Sequence, residues 1–306
     1  VWVVGSLNED LVLLVPQPLT EGATVLAEGT HQSAGGKGLN QACAASRAGA
    51  DVHLVGTVGV DDAGVRLLAA ASAEGVDTAG VTMTDRLPTG RAFVVVAPGG
   101  SSTIVVDAGA NRETEGGLDR LAAGDIVVVQ LEIPLTAAAR ALRAAVAANA
   151  SSVLSASPVV PGARELVGLC DVCVVNADEV TALLDPEVPR DVESAALRLC
   201  EEGCGAVVVT LGAEGALVVD ADGTRTIAAS AVSHVADTTG AGDAFTGALA
   251  AALARGEGID SAAAHGVRAG SEVIVGFGAQ PNRHPPRPAE GHRRTRPGRR
   301  RLFRRR

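Results

Sequence analysis

Lysine is almost missing from this 306-residue chain: the one lysine, Lys37, lies in Ala34-Gly-Gly-Lys-Gly38, and arginine supplies the rest of the Lys+Arg total of 26. Replacement of Lys by Arg nearly throughout points to GC-rich coding. Under that bias a lone Lys between glycines reads as kept for its compact ammonium rather than by drift. Aromatics amount to 2%, so the 47% apolar content rests on Ala, Val and Leu, which favours tightly packed layers of helix and sheet. No apolar run approaches bilayer length, and no basic-then-apolar leader opens the chain, so a cytoplasmic protein is expected. The opening Val-Trp-Val-Val already reads as a buried strand, and a Val start points to an incomplete N-terminus. Basic charge is scarce outside the last segment. The formal net charge is −9 although residues 282–306 are dense in Arg with Glu290 as their one acid, so the body is more acidic still, which argues against nucleic acid as its partner.

Cysteines number five, and with no signal segment expected they argue against a disulfide framework. Cys170-x-x-Cys173 and Cys200-x-x-x-Cys204 have spacings that a four-thiolate zinc site could use. The first pair flanks an apolar strand, however, and the second spans a helix end and a turn, so core packing is the preferred reading. A Walker loop is also missing, because no Ser or Thr follows Lys37 in the required place.

What the sequence does contain is an alternation of strands and helices, which predicts an α/β fold with a mostly parallel central sheet flanked by helices. Strands are expected at 1–4, 11–15, 52–58, 126–131, 152–155, 172–175 and 206–210, with helices at 38–48, 63–73, 136–148, 240–254 and 260–270. The segments 91–97 and 103–106 read as a hairpin, as do 215–219 and 224–228. β-ribbon pieces early in an α/β chain predict a small sheet standing off the body as a lid, from segments of about 9–30 and 90–107. By length the chain could form one large α/β domain or two, and no low-complexity linker occurs before residue 281.

The chemistry concentrates in Asp237-Thr-Thr-Gly-Ala-Gly-Asp243, which runs into the Ala/Leu-rich helix. Polar residues able to cap the helix open the stretch. The small residues Gly240, Ala241 and Gly242 let main-chain N–H groups approach a ligand, and the helix dipole favours an anion there. Asp243 in the first turn is expected to be ionised and able to take a proton from an attacking hydroxyl, which suits phosphoryl transfer. A plain Gly-rich strand-to-helix turn has about equal standing.

Further polar groups fall at strand ends, where ligands bind in open α/β sheets. Asn8 and Asp10 are two apart on an extended segment and share a face, so they could grip adjacent hydroxyls of a polyol or merely cap a turn. Gly35-Gly-Lys-Gly38 with Asn40 offers an anion-tolerant turn with donors, and Glu132 ends a strand just before Pro134. Asn176 and Glu179, three apart, could order water around Mg²⁺. Thr210-Leu-Gly-Ala-Glu-Gly215 forms a tight turn suited to a nucleotide's phosphate or ribose.

Taken in order, Gly5-Ser-Leu-Asn-Glu-Asp10, Ala34-Gly-Gly-Lys-Gly-Leu-Asn-Gln41, Asp107-Ala-Gly-Ala-Asn111, Asn176-Ala-Asp-Glu179, Thr210-Leu-Gly212 and Asp237-Thr-Thr-Gly-Ala-Gly-Asp243 resemble the ribokinase (PfkB) family of carbohydrate kinases over roughly residues 1 to 281. The resemblance implies a ribokinase-like, Rossmann-like body, with a lid that commonly serves as a homodimer interface. It implies ATP-dependent phosphorylation of D-ribose at the 5-hydroxyl. Asp243 would be the base and Gly240, Ala241 and Gly242 the anion hole. The sugar would be held by Asn8, Asp10, Gly36, Lys37, Gly38, Asn40 and Glu132. ATP would be held by Asn176, Thr210, Leu211, Gly212, Ala213, Glu214, Gly215 and Gly242. Glu179 would order the Mg²⁺ shell through water. A K⁺ site would use Asp237, Thr239, Val273, Gly276, Gly278 and Asn282. Fructose, another sugar or a nucleoside stay open as acceptors, as does a catalytically impaired sugar- or nucleotide-binding protein.

Two departures stand out. Arg91 occupies a lid-strand position where the family commonly has an apolar residue, which leaves the sugar open. After Pro281 the family's small residue, Pro and closing helix give way to Asn282-Arg-His-Pro-Pro and Arg-rich sequence without apolar periodicity, which is expected to be disordered. A reading-frame slip in a GC-rich gene, a genuine basic tail and a folded extension are the three readings, in that order.

Overall fold

The computed structural model describes residues 1–98, 102–184, 191–229, 232, 234–235 and 237–275. The tail 282–306, with Gly276, Gly278 and Asn282, lies outside the described residues.

In chain order the elements are β1 (Trp2–Val4), β2 (Asn8–Leu14), β3 (Gly29–Gly35), α1 (Lys37–Arg47), β4 (His53–Gly59), α2 (Asp62–Ala73), β5 (Asp77–Thr84), β6 (Gly90–Val96) and β7 (Ser102–Asp107). They continue with β8 (Ile126–Gln130), α3 (Leu135–Ala148), β9 (Ser151–Ser155), β10 (Val172–Asn176), α4 (Ala177–Ala182), α5 (Val192–Glu201), β11 (Ala206–Thr210), β12 (Ala216–Asp220), β13 (Gly223–Ile227), α6 (Ala241–Ala254) and α7 (Ile259–Val273).

Nine strands form one sheet in the order β13-β12-β11-β10-β9-β8-β1-β4-β5, parallel from β11 through to β5, with β12 and β13 added antiparallel at one edge. Alternation along the strands divides the core. Trp2, Val4, Val127 and Val129 face α3 and α5. Val1, Val3, Ile126 and Val128 face α1, α6 and α7 on the other side. Because both faces are covered, the central strands are apolar at nearly every position, as β8 Ile-Val-Val-Val-Gln shows.

A second sheet of four strands, β3-β2-β6-β7, stands off the body. Here β2 runs antiparallel to β3 and parallel to β6. Several expectations shift. The hairpin 215–219/224–228 is no ribbon of its own but the antiparallel edge of the main sheet, since its first strand continues the ladder of β11. β5 was not anticipated: its pattern of mixed exposure gives no clean period, and its pairing to β4 decides it. Asn8 and Asp10 lie inside a strand, which bears out the extended-segment reading over the capped turn, and β3 extends the lid sheet to Gly35. The cysteines pack in the core: Cys43, Cys170, Cys173 and Cys204 are buried, and Cys200 lies half-buried beside them.

Candidate active site

The C-terminal ends of β8, β9, β10 and β11 open on one side of the sheet, and the start of α6 faces them. A cleft of about 220 Å³ there is lined by Lys37, Ser155, Ser157, Asn176, Glu179, Thr210, Gly240, Gly242, Asp243 and Thr246, with Val174 and Val175 as its floor. A shallower groove of about 440 Å³ adjoins it through Asn176 and Thr210, and is otherwise lined by Ala177, Asp178, Leu211, Gly212 and Glu214. Ala213 and Gly215 shape the turn without lining the groove.

At the start of α6 the cap is Gly240, at φ 78°, with no side-chain cap hydrogen bond. The expected polar cap is therefore absent. Thr239 instead donates through its N–H and its hydroxyl to Asp237 Oδ1, at 2.9 and 2.7 Å. Asp237 N–H reaches Ile274 O (3.3 Å), tying this turn to the end of α7 beside the buried Val273. No side chain therefore caps the first turn of α6 where it borders the cleft, although Ala241 N–H donates to the Thr238 carbonyl at 3.2 Å.

Asp243 is 8% exposed. Its carboxylate accepts from Asn40 Nδ2 at 3.1 Å and Gln41 Nε2 at 2.9 Å, both on α1. The sequence reading of an electrostatically comfortable Asp243 needs correction. Burial pushes its carboxyl above the usual range, and Lys37, Gln41 and Asn40 work against that push. Burial by itself would lower the Lys37 ammonium, but Asp243, Glu132 and Glu179 together hold it above its ordinary value.

A second cluster joins this one from the lid hinge. Glu132 Oε2 accepts from Ser6 Oγ (2.6 Å), Lys37 N (3.2 Å) and Asn8 Nδ2 (3.3 Å). Asn8 Oδ1 accepts in turn from Asn111 Nδ2 (2.7 Å), whose own side-chain oxygen takes Leu7 N–H (2.9 Å). Gly36 at φ 90° makes the tight entry to α1, where a Cβ would lie 2.6 Å from Asn8 N. Gly38 is buried behind Lys37, its N–H donating to Ser6 Oγ (3.3 Å). Asp10 feels Glu132 and Asp243, and burial with those two carboxylates pushes its carboxyl up to about 7.

Asn176 and Glu179 do not lie within one helical turn as free ligands. They form a capping box: Asn176 Oδ1 accepts from Asp178 N (2.9 Å) and Glu179 N (2.8 Å), and Glu179 Oε2 accepts from Asn176 N (2.9 Å). Both still face the cleft. Arg91 is paired with Glu9 across β2 and β6, on the face opposite Asn8 and Asp10. It therefore does not enter the cluster around Asp10, where Ala92 stands opposite instead. Glu9, with a side chain 7% exposed, pairs with Arg66 of α2 and lies 3.3 Å from Arg91 Nε, the latter an ion pair without hydrogen-bond alignment.

Sequence reasoning gave no role to Gln41, Ser155, Ser157, Thr246, Ser6 or Asn111. Ser155 ends a parallel strand, so the strand-end rule applied to Asn176 and Thr210 would also have found it. Gln41 lies inside a helix, where only the approach of α6 reveals its partner.

Residues 1–285 match the family model for pfkB family carbohydrate kinases. The chain is 33% identical to a ribokinase of Haemophilus influenzae over 288 residues, covering 91% of this chain and 93% of that protein. It is 32% identical to a ribokinase of Bacillus subtilis, covering 92% and 94%. The chain belongs to the pfkB family of carbohydrate kinases. Among solved structures, the crystal structure of a Thermotoga maritima ribokinase superimposes with a TM-score of 0.82 at 31% identity, covering 91% of this chain and 93% of that one. An Arabidopsis thaliana ribokinase complexed with ribose and ATP gives 0.82 at 28%, covering 92% and 95%. This family member is accordingly a phosphotransferase with the ribokinase-like α/β fold and its separate four-stranded lid.

Proposed function

We propose that this chain transfers the γ-phosphoryl group of ATP to the 5-hydroxyl of D-ribose. The observation that carries this reading is the cleft that brings Asp243, Lys37 and the start of α6, which no side chain caps, together with Asn176, Glu179 and Thr210. On one side the Asn8–Glu132–Lys37 cluster, Asp10 and Asn40 supply donors and acceptors for a polyol. Gly36 and Gly38 let the start of α1 pack against the main chain of residues 5–8 that borders that side. On the other side Asn176, Thr210, Leu211, Gly212 and Glu214 form a groove for the nucleotide, with Ala213 and Gly215 completing its turn. The Arabidopsis thaliana ribokinase complexed with ribose and ATP supports the choice of these two ligands.

In this reading Asp243 takes the 5-hydroxyl proton as the oxygen attacks, and the N–H groups at Gly240, Ala241 and Gly242 hold the charge on the migrating group. Lys37 adds positive charge beside it. Glu179 lines the cleft, with Asp178 and Glu214 in the adjoining groove, and no group of three or more His, Cys, Asp or Glu able to hold a metal occurs among the described residues. That donor set fits a Mg²⁺ carried by the nucleotide and contacted through water, not an all-protein cage. Bound there, the ion would neutralise phosphate charge. The Asp237–Thr239 turn, beside Val273 and the Ile274 carbonyl, offers oxygens suited to K⁺.

The lid sheet exposes Leu14, Phe93, Ile104, Val105 and Val106, which supports a homodimer formed through it. No helix among the described residues is long and apolar enough to cross a membrane.

The test is ADP release from purified protein with ATP, Mg²⁺, K⁺ and a panel of ribose, deoxyribose, fructose and nucleosides. Ribose is expected to give the highest kcat/KM. Asp243→Asn should lower kcat by at least ~10²-fold, the lower end of general-base effects. Near-parental turnover in that variant removes Asp243 from the proton transfer, and sugar binding without ADP release would leave a binding protein only.

A further inference from the structure

Gln41 is fully buried on α1, and its environment is unusual for an amide held only by packing. Nε2 donates to Asp243 Oδ1 at 2.9 Å, while Oε1 is buried with no hydrogen-bond partner among the described residues. Leaving a buried amide oxygen without a donor is a net cost, because water would have satisfied it. Turning the amide by half a revolution offers no relief, since Oε1 would then face the Asp243 carboxylate. The orientation is therefore dictated by the charge on Asp243, not by the cavity around the amide.

The approach that makes this contact is also built in. Gly247 lies one helical turn after Asp243 on α6, and a Cβ there would come within 2.5 Å of Gln41 O and 2.6 Å of Ala44 Cβ. α1 and α6 thus touch backbone to backbone just below the carboxylate, which fixes the reach of Gln41 to it. Asn40 takes the other carboxylate oxygen at 3.1 Å. Gln41, buried behind Asp243, has no side-chain hydrogen-bond partner other than that carboxylate among the described residues.

We propose that Gln41 is a positioning residue for Asp243: its charge-assisted hydrogen bond keeps the carboxylate anionic and aimed at the acceptor hydroxyl. The proposal rests on the reading of Asp243 as the base. It deepens that reading by assigning the group that makes a buried carboxylate usable. The charged groups around Asp243 are Lys37 on α1, Glu132 after β8 and Asp10 on β2. Lys37 favours the anion and the two carboxylates oppose it, and burial raises the Asp243 carboxyl, so loss of one donor is felt directly.

The experiment compares the parent enzyme with Gln41→Met, Gln41→Glu and Asp243→Asn in full kcat and kcat/KM profiles against pH, with ribose and ATP binding measured by calorimetry. Gln41→Met keeps the length and removes the donor. It is expected to lower kcat by about tenfold or more and to move the acid limb of the kcat profile up by about one pH unit, with both binding constants within about twofold of the parent. Gln41→Glu keeps the shape and places a second carboxylate against Asp243, so its acid limb should move further in the same direction. Should Gln41→Met fail to fold, Gln41→Glu decides alone. An acid limb that stays in place in the folded variants overturns the proposal and leaves Gln41 a packing residue, even if kcat falls. Activity surviving in Asp243→Asn is a different result, and removes the base reading itself.

Discussion

Asp10 lies on β2 beside Asn8, its carboxylate folded over Gly35 of the neighbouring strand, where a Cβ would come within 2.1 Å of Oδ2. Burial, with the nearby Glu132 and Asp243 carboxylates, pushes its carboxyl from the model-compound value of 3.8 up to about 7. If its anion accepts hydrogen bonds from sugar hydroxyls, binding follows the ionised fraction. With a pKa of about 7 that fraction is about one in eleven at about pH 6 and about ten in eleven at about pH 8. Ribose affinity should therefore rise about tenfold across that interval. Calorimetric titration of ribose without nucleotide measures it free of the chemical step, and Asp10→Asn should bind weakly with a flat profile. The stability of the free protein should run the other way. A carboxyl raised on folding contributes stability that is full below the unfolded pKa of 3.8 and is lost as pH rises through about 7. The three-unit shift bounds that contribution at about 4 kcal/mol. Asp10→Asn, which removes the buried charge, should then raise the melting temperature at about pH 8 relative to the parent. A ribose affinity that is flat with pH in the parent, together with an unchanged melting temperature in the variant, would refute the reasoning.

Two further outcomes follow from the lid hinge. Glu9 is buried between Arg66 and Arg91 on the back of the strand that bears Asn8 and Asp10. Both arginines are partly exposed, so a Glu9→Gln/Arg66→Met double-mutant cycle should give a modest coupling of about 1 kcal/mol by urea denaturation. Ribose KM should rise more than ATP KM in Glu9→Gln; equal changes in both would detach the pair from the lid. Gly36→Ala forces a side chain into φ 90° and against Asn8 N, and should cost about 1–3 kcal/mol. Its ribose binding should be largely lost while ATP binding, measured by calorimetry, is kept. A variant with normal ribose affinity would show that the entry to α1 does not set the sugar side.

Most of the body's elements were legible because each is a local pattern. Strands such as β8 and β11 are short apolar runs bounded by turn residues, and α3 and α6 are Ala-rich segments of helical length. β5 and β3 were missed for the opposite reason: their side chains carry no clean alternation, and only pairing to β4 and β2 makes them strands. The sheet membership of β12 and β13 likewise rests on pairing: β12 folds back antiparallel on β11 across the 211–215 turn, and β13 follows it.

Composition, motif order and strand ends by themselves determined the family, the α/β class and the residues that stand at the mouth of the sheet, because turn geometry and the placing of polar groups at strand ends are written locally. Which of those residues meet was decided by tertiary structure. Asp243 and Gln41 lie 202 positions apart, and Asn8 and Glu132 lie 124 apart. The orphaned amide oxygen of Gln41, the raised carboxyls of Asp10 and Asp243, and the turning of Arg91 away from Asp10 all come from burial and from which strand pairs with which. Those are properties of the packed molecule, and no window of sequence contains them.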